Sequence, residues 1–224
     1  MTPRFRDIMF LLLWSVSTLV MGVLALPCLL LPQWSRAAAK LWTCWSLWLL
    51  KRVAGIHSHV RGYMHILEPP VIYAPKHQST WDTLMLYQQL DGPAFVLKRS
   101  LYLIPIFGWY LWRSGQIAID RKGGKRAIGQ MVEQAKYYAG KGRSIVIFPE
   151  GTRRPPFAEP QYKFGVARVS EATGLKVVPV ALNAGKVWPR HPIAKRAGHA
   201  IVEFLPAMPP AGTAREPWLK DLET

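Results

Sequence analysis

The pattern of apolar positions divides the chain into an N-terminal apolar region and a longer region of alternating short apolar runs and helical patterns. No charged residue occurs between Ile8 and Ser35, and the stretch Phe10–Leu31 consists mostly of Leu, Val, Met and Trp. About 20 apolar residues are enough to cross the hydrocarbon core of a bilayer as a helix. The pattern therefore predicts a membrane-embedded helix at the start of the chain.

A second apolar stretch, residues 37–50, carries three tryptophans and is interrupted by Lys40. Because Trp is enriched at the level of the lipid headgroups, this stretch predicts an interfacial helix. A cleaved signal peptide is disfavoured, since the apolar run is too long for one. A single span and a helical hairpin in one leaflet both remain open. Basic residues flank both ends (Arg4 and Arg6 before, Arg36 and Lys40 after), which favours the hairpin.

The remainder of the chain is predicted to be an α/β domain with a mainly parallel sheet flanked by helices, because predicted strands alternate with predicted helices. The interpretation divides the chain into a membrane-associated segment, residues 1–54, and an α/β domain, residues 55–224. The predicted strands cover residues 71–74, 95–97, 117–119, 144–148, 177–182 and 200–205, and the predicted helices cover 83–90, 125–139 and 166–172.

The charge is strongly positive, with 29 Lys and Arg against 13 Asp and Glu, a formal net charge of +16. Such an excess suits a polyanionic partner: an anionic membrane surface, a phosphorylated substrate, an acidic carrier protein or nucleic acid. The basic residues are scattered and no nucleic-acid-binding module is recognisable, so nucleic acid is not expected as a partner.

A candidate catalytic pair lies between a predicted strand and a predicted helix. His77 follows the strand, Ser79 is a suitable helix N-cap, and Asp82 comes three residues after it. Placed this way, Asp82 can accept the Nδ1 proton of His77, which leaves Nε2 free to take a proton from an alcohol. The alternative is a polar loop histidine beside an ordinary helix-start acid. A histidine and an acid at this spacing form a weak motif on their own.

Two further blocks offer phosphate-binding groups. The run Phe148-Pro149-Glu150-Gly151-Thr152-Arg153 ends the strongest predicted strand, and ligands bind at the carboxyl ends of parallel strands. Its arginine can hold a phosphate bidentately. The run 115–121 brings Asp120 and Arg121 to the end of a short strand, where a surface salt bridge is nearly as plausible as phosphate binding. A fourth block, 178–183, is apolar and most such strands only pack in a core.

Taken together, in this order and spacing, the four blocks resemble the glycerolipid acyltransferase family, specifically its 1-acyl-glycerol-3-phosphate (lysophosphatidate) acyltransferases. The resemblance covers residues 55–205. It implies transfer of a fatty acyl group from acyl-CoA or acyl-carrier protein to the sn-2 hydroxyl of lysophosphatidate, which forms phosphatidic acid. It implies His77 as general base and Asp82 as its orienting partner. The substrate-binding residues implied are Lys98, Arg121, Glu150, Gly151, Thr152 and Arg153.

The resemblance also implies an enzyme of the cell inner membrane with its active site on the cytoplasmic face. No cofactor and no metal ion are expected, because the thioester is already activated and no metal-ligand spacing is visible. Other acceptors remain open: glycerol 3-phosphate, another lysophospholipid or an amino-acid-derived lyso-lipid. The alternative from another class is a non-catalytic membrane protein that binds anionic lipids.

Overall fold

The computed structural model describes residues 3–121, 123–191 and 193–223. The chain forms seven α-helices, α1 to α7, and seven strands, β1 to β7, within these residues. In chain order the helices are Pro3–Leu24, Pro32–Leu49, Thr80–Gln89, Phe107–Arg113, Gly124–Ala139, Gly165–Thr173 and Arg215–Glu223. The strands are Ile56–Arg61, Ile72–Pro75, Ala94–Lys98, Ile117–Ile119, Ile145–Val146, Val177–Leu182 and Gly198–Phe204.

The seven strands form one sheet in the order β1-β7-β6-β2-β5-β3-β4. All neighbouring pairs are parallel except β6 and β7, so β1 and β7 run opposite to the other five strands. The predicted fold class, an α/β domain with a mainly parallel sheet flanked by helices, is confirmed. In the parallel part, the carboxyl ends of β6, β2, β5, β3 and β4 share one edge of the sheet.

Three elements differ from the sequence-based expectation. Strand β1 was not expected, because its alternating polar residues His57, His59 and Arg61 face outward and interrupt the apolar signal. Helix α4 has only seven residues, too few for a helical period to stand out. The predicted strand 144–148 pairs with its neighbours only over Ile145–Val146, since the chain then turns toward the edge of the sheet.

Two hydrophobic cores lie on opposite faces of the sheet. One core includes Trp81 of α3 and Phe204 of β7, and aromatic side chains of the N-terminal helices pack against it. The other core lies beneath α5, α6 and α7 and includes Met131 and Trp218. Burial of both faces is what allows the central parallel strands to be almost entirely apolar.

Helices α1 and α2 form an antiparallel hairpin joined by a short helical turn, Leu26–Leu30. The indole N–H of Trp14 donates to Ser46 Oγ at 2.8 Å, and that of Trp42 donates to Thr18 Oγ1 at 2.9 Å. These bonds satisfy polar groups inside the hairpin. Within the described residues, Phe5–Leu24 is the one helical stretch long and apolar enough to cross a membrane, by length and composition. The helix ends at Leu24, earlier than the apolar run suggested.

The beginning of α1 is fastened to the α/β domain. Asp7 is buried, and its carboxylate accepts a hydrogen bond from the backbone N–H of Lys195 at 3.0 Å. The Lys195 ammonium lies over the rings of Phe10 and Trp188, at 4.7 and 4.9 Å from their centres. Burial lowers the pKa of Lys195 to about 8, although the Asp7 carboxylate pulls it upward. The N-terminal helix is therefore an integral part of the fold.

Candidate active site

His77 lies at the carboxyl edge of the sheet, directly after β2. Its Nδ1 atom is 3.1 Å from Oδ2 of Asp82 in the first turn of α3. The helix begins here because Ser79 caps it: the Ser79 side chain accepts a backbone N–H, and Asp82 reaches back to the Ser79 N–H to complete a capping box. The same carboxylate thus serves the helix end and the imidazole.

The Asp82 carboxylate is fully buried, and its Oδ2 atom accepts three hydrogen bonds. Besides the imidazole, the donors are the backbone N–H groups of Gln78 at 2.7 Å and Ser79 at 2.8 Å. Because Oδ2 of Asp82 accepts from two backbone N–H groups and faces Nδ1, the tautomer of His77 that fits has its proton on Nδ1 and a free lone pair on Nε2.

The loop 148–154, which follows β5, holds the histidine from the other side. The backbone N–H of His77 donates to Oε2 of Glu150 at 2.9 Å, and the His77 carbonyl accepts from the N–H of Arg154 at 2.8 Å. The ring of Phe148 stacks on the imidazole with 4.0 Å between centres. The His77 side chain keeps 13% of its surface exposed, so the ring is both fixed and reachable.

Glu150, expected from the sequence to bind substrate, is bonded to the backbone of the histidine. It is 5% exposed and its carboxylate is turned inward to the His77 backbone. Gly151 follows in the left-handed region, with φ +66°, which explains why glycine stands at this turn. A Cβ there would lie 3.3 Å from Nζ of Lys163, so the loop also packs closely against the chain that follows it.

Arg153 and Thr152 lie on the outer part of the same loop. Arg153 is partly buried and makes no side-chain hydrogen bond or ion pair with another described residue. Burial lowers the pKa of its guanidinium, the Asp82 carboxylate raises it, and Arg190 lowers it further. Arg153 is thus a cation within electrostatic reach of the His77–Asp82 pair and without a fixed counter-ion among the described residues. Thr152 is exposed.

Lys98 and Arg121 lie at the same edge of the sheet but farther from His77. Lys98 is the last residue of β3 and Arg121 follows β4, and both are exposed. Three strand spacings of about 4.8 Å separate β2 from β4, which places Arg121 roughly 14 Å along the edge from the histidine. The structure therefore brings His77, Asp82 and the 148–154 loop into contact, and it places Lys98 and Arg121 at the ends of strands two and three positions away in the sheet.

The loop after β6 also contributes to the site, although the sequence pattern predicted only an apolar strand there. The backbone N–H of Gly185 donates to Oε1 of Gln78, the residue next to the histidine, at 3.1 Å. A Cβ on Gly185 would lie 2.8 Å from Pro156, so only glycine fits between the two loops. Arg190 of this loop supplies a second cation near Arg153.

A cleft of about 370 Å³ opens beside the 148–154 loop. Its lining is charged and polar, and includes residues of that loop, of the segment after it and of α7: Glu150, Thr152, Arg154, Gln161, Tyr162, Lys163 and Glu223. Within the described residues, no group of three or more His, Cys, Asp or Glu side chains is arranged to hold a metal ion.

An imidazole–carboxylate pair at the carboxyl ends of the strands of an α/β sheet, with the Arg153 cation nearby, is typical of enzymes that activate a hydroxyl group. A family model described as "Acyltransferase" matches residues 57–183, which include both halves of this pair. The chain is 39% identical over 206 residues to a 1-acyl-sn-glycerol-3-phosphate acyltransferase of Pseudomonas aeruginosa, an alignment covering 91% of this chain and 80% of that one. The chain belongs to the acyltransferase family and is an O-acyltransferase.

Other relatives agree with this assignment. A 1-acyl-sn-glycerol-3-phosphate acyltransferase of Escherichia coli is 31% identical over 113 residues, covering 50% of this chain and 46% of that one. The crystal structure of the 1-acyl-sn-glycerophosphate (LPA) acyltransferase PlsC from Thermotoga maritima matches with a TM-score of 0.78 at 20% identity. The match covers 98% of this chain and 94% of that one. At this identity the structural match establishes the fold alone.

Proposed function

We propose that this protein transfers a fatty acyl group from an acyl thioester, acyl-CoA or acyl-carrier protein, to the sn-2 hydroxyl of 1-acyl-glycerol-3-phosphate, forming phosphatidic acid. The observation that carries the proposal is the contact between His77 Nδ1 and Asp82 Oδ2, with the carboxylate fixed by two further N–H donors. The names of the Pseudomonas and Escherichia relatives support lysophosphatidate as the acceptor.

In the proposed reaction, His77 Nε2 takes the proton of the acceptor hydroxyl as its oxygen attacks the thioester carbonyl carbon. The resulting imidazolium is stabilised by the Asp82 carboxylate. When the tetrahedral intermediate collapses, the carbon–sulfur bond breaks and the imidazolium returns its proton to the leaving thiolate. The ester and a free thiol are the products, and the base is regenerated. General-base help of this kind contributes on the order of 100- to 10,000-fold.

The other predicted site residues have graded roles in this proposal. Arg153, partly buried and unpaired among the described residues, binds the acceptor phosphate, and Gly151 and Thr152 allow the loop backbone to approach it. Glu150 positions His77 through the backbone instead of touching substrate. Lys98 and Arg121, both exposed at the same sheet edge, attract the charged parts of the two substrates from farther away.

The membrane carries the acceptor, and we propose that the N-terminal segment, residues 1–54, brings the catalytic domain, residues 55–224, to it. The apolar face of α1 and the tryptophans of α2 support this role. Both α1 and α2 pack against the catalytic domain, which favours a hairpin held in one leaflet over a helix that crosses the bilayer. The proposed location is the cytoplasmic face of the inner membrane.

The test is thiol release from acyl-CoA or acyl-carrier protein by detergent-purified protein, measured with and without lysophosphatidate. We expect release to depend on lysophosphatidate and to be nearly abolished by His77→Ala. A panel that replaces lysophosphatidate with glycerol 3-phosphate or a lysophospholipid lacking the terminal phosphate monoester tests the acceptor. His57→Ala, which changes an exposed histidine of β1 at one end of the sheet order, is the matched control. Full activity of the His77→Ala variant would refute the assignment of His77 as the general base.

A further inference from the structure

A short segment of the catalytic domain presents an apolar surface beside the tip of the N-terminal hairpin. The segment, residues 99–113, comprises the helical turn Arg99–Leu103, helix α4, Phe107–Arg113, and the residues between them. Four of its large apolar side chains are exposed: Leu103 by 83%, Ile104 by 43%, Trp109 by 49% and Trp112 by 66%. Exposed apolar side chains in such density mark a surface that contacts another molecule or a membrane.

This segment is bonded to the hairpin at its tip. The Tyr110 hydroxyl donates to the carbonyl of Gly22 in α1 at 3.0 Å. The Arg113 guanidinium donates to the carbonyls of Leu29 and Leu30 in the turn between α1 and α2, with 2.7 Å to the first. The tip and α4 are therefore held together and must occupy the same depth relative to a bilayer.

The chemistry of these bonds indicates the surroundings of the tip. Carbonyls at the end of a helix lack partners within the helix and normally bind water. In an apolar medium they must be satisfied by the protein, because each unsatisfied group costs several kcal/mol. At the tip, the side chains of Tyr110 and Arg113 in α4 donate hydrogen bonds to three such carbonyls.

Close packing reinforces the junction. A Cβ on Gly22 would lie 2.8 Å from the Ile106 side chain, so glycine in α1 allows the segment to approach. Ile106 itself has φ +64°, a conformation that costs a β-branched residue energy and persists only when its surroundings hold it. Phe107 adds an edge contact to the Trp42 ring at 5.9 Å.

The apolar surface of α4 continues the exposed surface of α1 and has a basic border. Leu24 and Leu30, at the tip, are 75% and 68% exposed. Lys98 and Arg99, both exposed, stand at the start of the segment. Apolar and aromatic side chains with basic residues beside them match the boundary between acyl chains and anionic headgroups.

We propose that residues 99–113 form a third membrane-contacting element, which inserts Leu103, Trp109 and Trp112 into the same leaflet as the hairpin and prefers anionic phospholipid. The inference rests on the proposed membrane role of the hairpin and extends it to the catalytic domain. Insertion at this site holds the sheet edge that carries Lys98 close to the headgroups, so the acceptor need not leave the bilayer to reach His77.

The test compares two triple variants in the full-length protein. The first is Leu103→Ser/Trp109→Ser/Trp112→Ser. The matched control, Tyr63→Ser/Met64→Ser/Tyr137→Ser, changes three side chains that are 60%, 78% and 57% exposed elsewhere on the domain. Binding to phosphatidylcholine vesicles, with and without phosphatidylglycerol, is measured by flotation. We expect the first variant to lose roughly tenfold or more in vesicle partition, because three large apolar side chains no longer leave water, and the control to match wild type.

Two further measurements separate the possible failures. Thiol release in detergent micelles reports the proposed reaction independently of vesicle binding, and we expect both triple variants to keep it. Light scattering reports whether a second copy of the chain covers the same surface. Unchanged vesicle binding by the first variant would overturn the proposal. A wild-type dimer that becomes monomeric only in the first variant would also overturn it. If the wild-type protein failed to bind vesicles, the proposed membrane roles of residues 99–113 and of the hairpin would both be wrong. The proposed acyl-transfer reaction would not be affected by that result.

Discussion

Two arginine-bearing loops stand at the same edge of the sheet, and they are joined to the histidine very differently. The loop 148–154 contacts His77 through a carboxylate, a backbone N–H and a stacked ring. The block 115–121 ends three strands away in the sheet order, with Arg121 exposed. Both blocks belong to the pattern by which the sequence resembles its family. Only the first lies in direct contact with the histidine, so in the proposed mechanism the first loop positions the base and the second attracts charge.

The largest loss of activity is expected at Asp82, the direct partner of the imidazole. Asp82→Asn replaces a carboxylate with an amide that cannot hold the same ring tautomer or stabilise the imidazolium. We expect kcat to fall on the order of 100- to 10,000-fold, as for loss of the base itself. Steady-state thiol release measures it. A variant within threefold of wild type would contradict the role assigned to the pair.

The strongest test of the 148–154 loop is Glu150→Gln. The amide can still accept the His77 N–H, but a hydrogen bond to a charged group is stronger by about 1–1.5 kcal/mol, so kcat should fall roughly five- to tenfold. Glu150→Ala, which leaves a buried N–H without a partner, should cost more. KM for lysophosphatidate is expected to change little. If KM rose while kcat held, Glu150 would be a substrate contact after all.

The two arginines can be compared directly. Arg153→Ala removes a partly buried cation, and we expect KM for lysophosphatidate to rise about tenfold or more, since hydrogen bonds to charged groups contribute about 1.5–3 kcal/mol. Arg121→Ala removes an exposed one and should change KM by less than about threefold, an effect that salt abolishes. Equal effects of the two variants would erase the distinction between the loops.

The smallest expected effect is that of replacing Gly151 with alanine, and a comparison with Gly124 separates backbone strain from a role in activity. Gly151 and Gly124 both have positive φ, +66° and +50°, so alanine costs each about 1–2 kcal/mol in folding. Gly124 has open space around it, whereas a Cβ at Gly151 presses on Lys163. Thermal unfolding should report similar losses for Gly151→Ala and Gly124→Ala. Activity should fall several-fold in the first variant alone, and an equal fall in both would indicate strain without any role of the loop.

The local part of the site could be predicted from sequence, while the long-range part could not. The His77–Asp82 contact follows from a strand, a serine N-cap and an acid three residues later, all within one turn. The bond from His77 to Glu150 joins residues 73 positions apart. It depends on β5 lying next to β2, an adjacency that the alternation of strands and helices does not specify.

The same distinction applies to the fold. Long periodic segments such as α5 and β6 were predicted within a residue or so, because their own side chains cover a core. Strand β1 and helix α4 were missed, since their stability comes from neighbours: β1 pairs with β7 at the far end of the chain, and α4 binds the hairpin. The bond between Glu150 and the His77 backbone was not expected either, because it depends on the burial of a carboxylate against a residue distant in sequence.

Trp188 connects the N-terminal hairpin to the loop that lies beside the active site. Its indole meets Phe10 and Trp14 edge-on, at 5.6 and 5.9 Å, and its loop also holds Gln78 beside the histidine. Cutting the chain before Gly55 would uncover this indole and the face behind it. We expect a truncated enzyme to lose both the order of its active-site loops and its solubility, so the hairpin is part of the packing of the catalytic domain and cannot be removed as a separate unit.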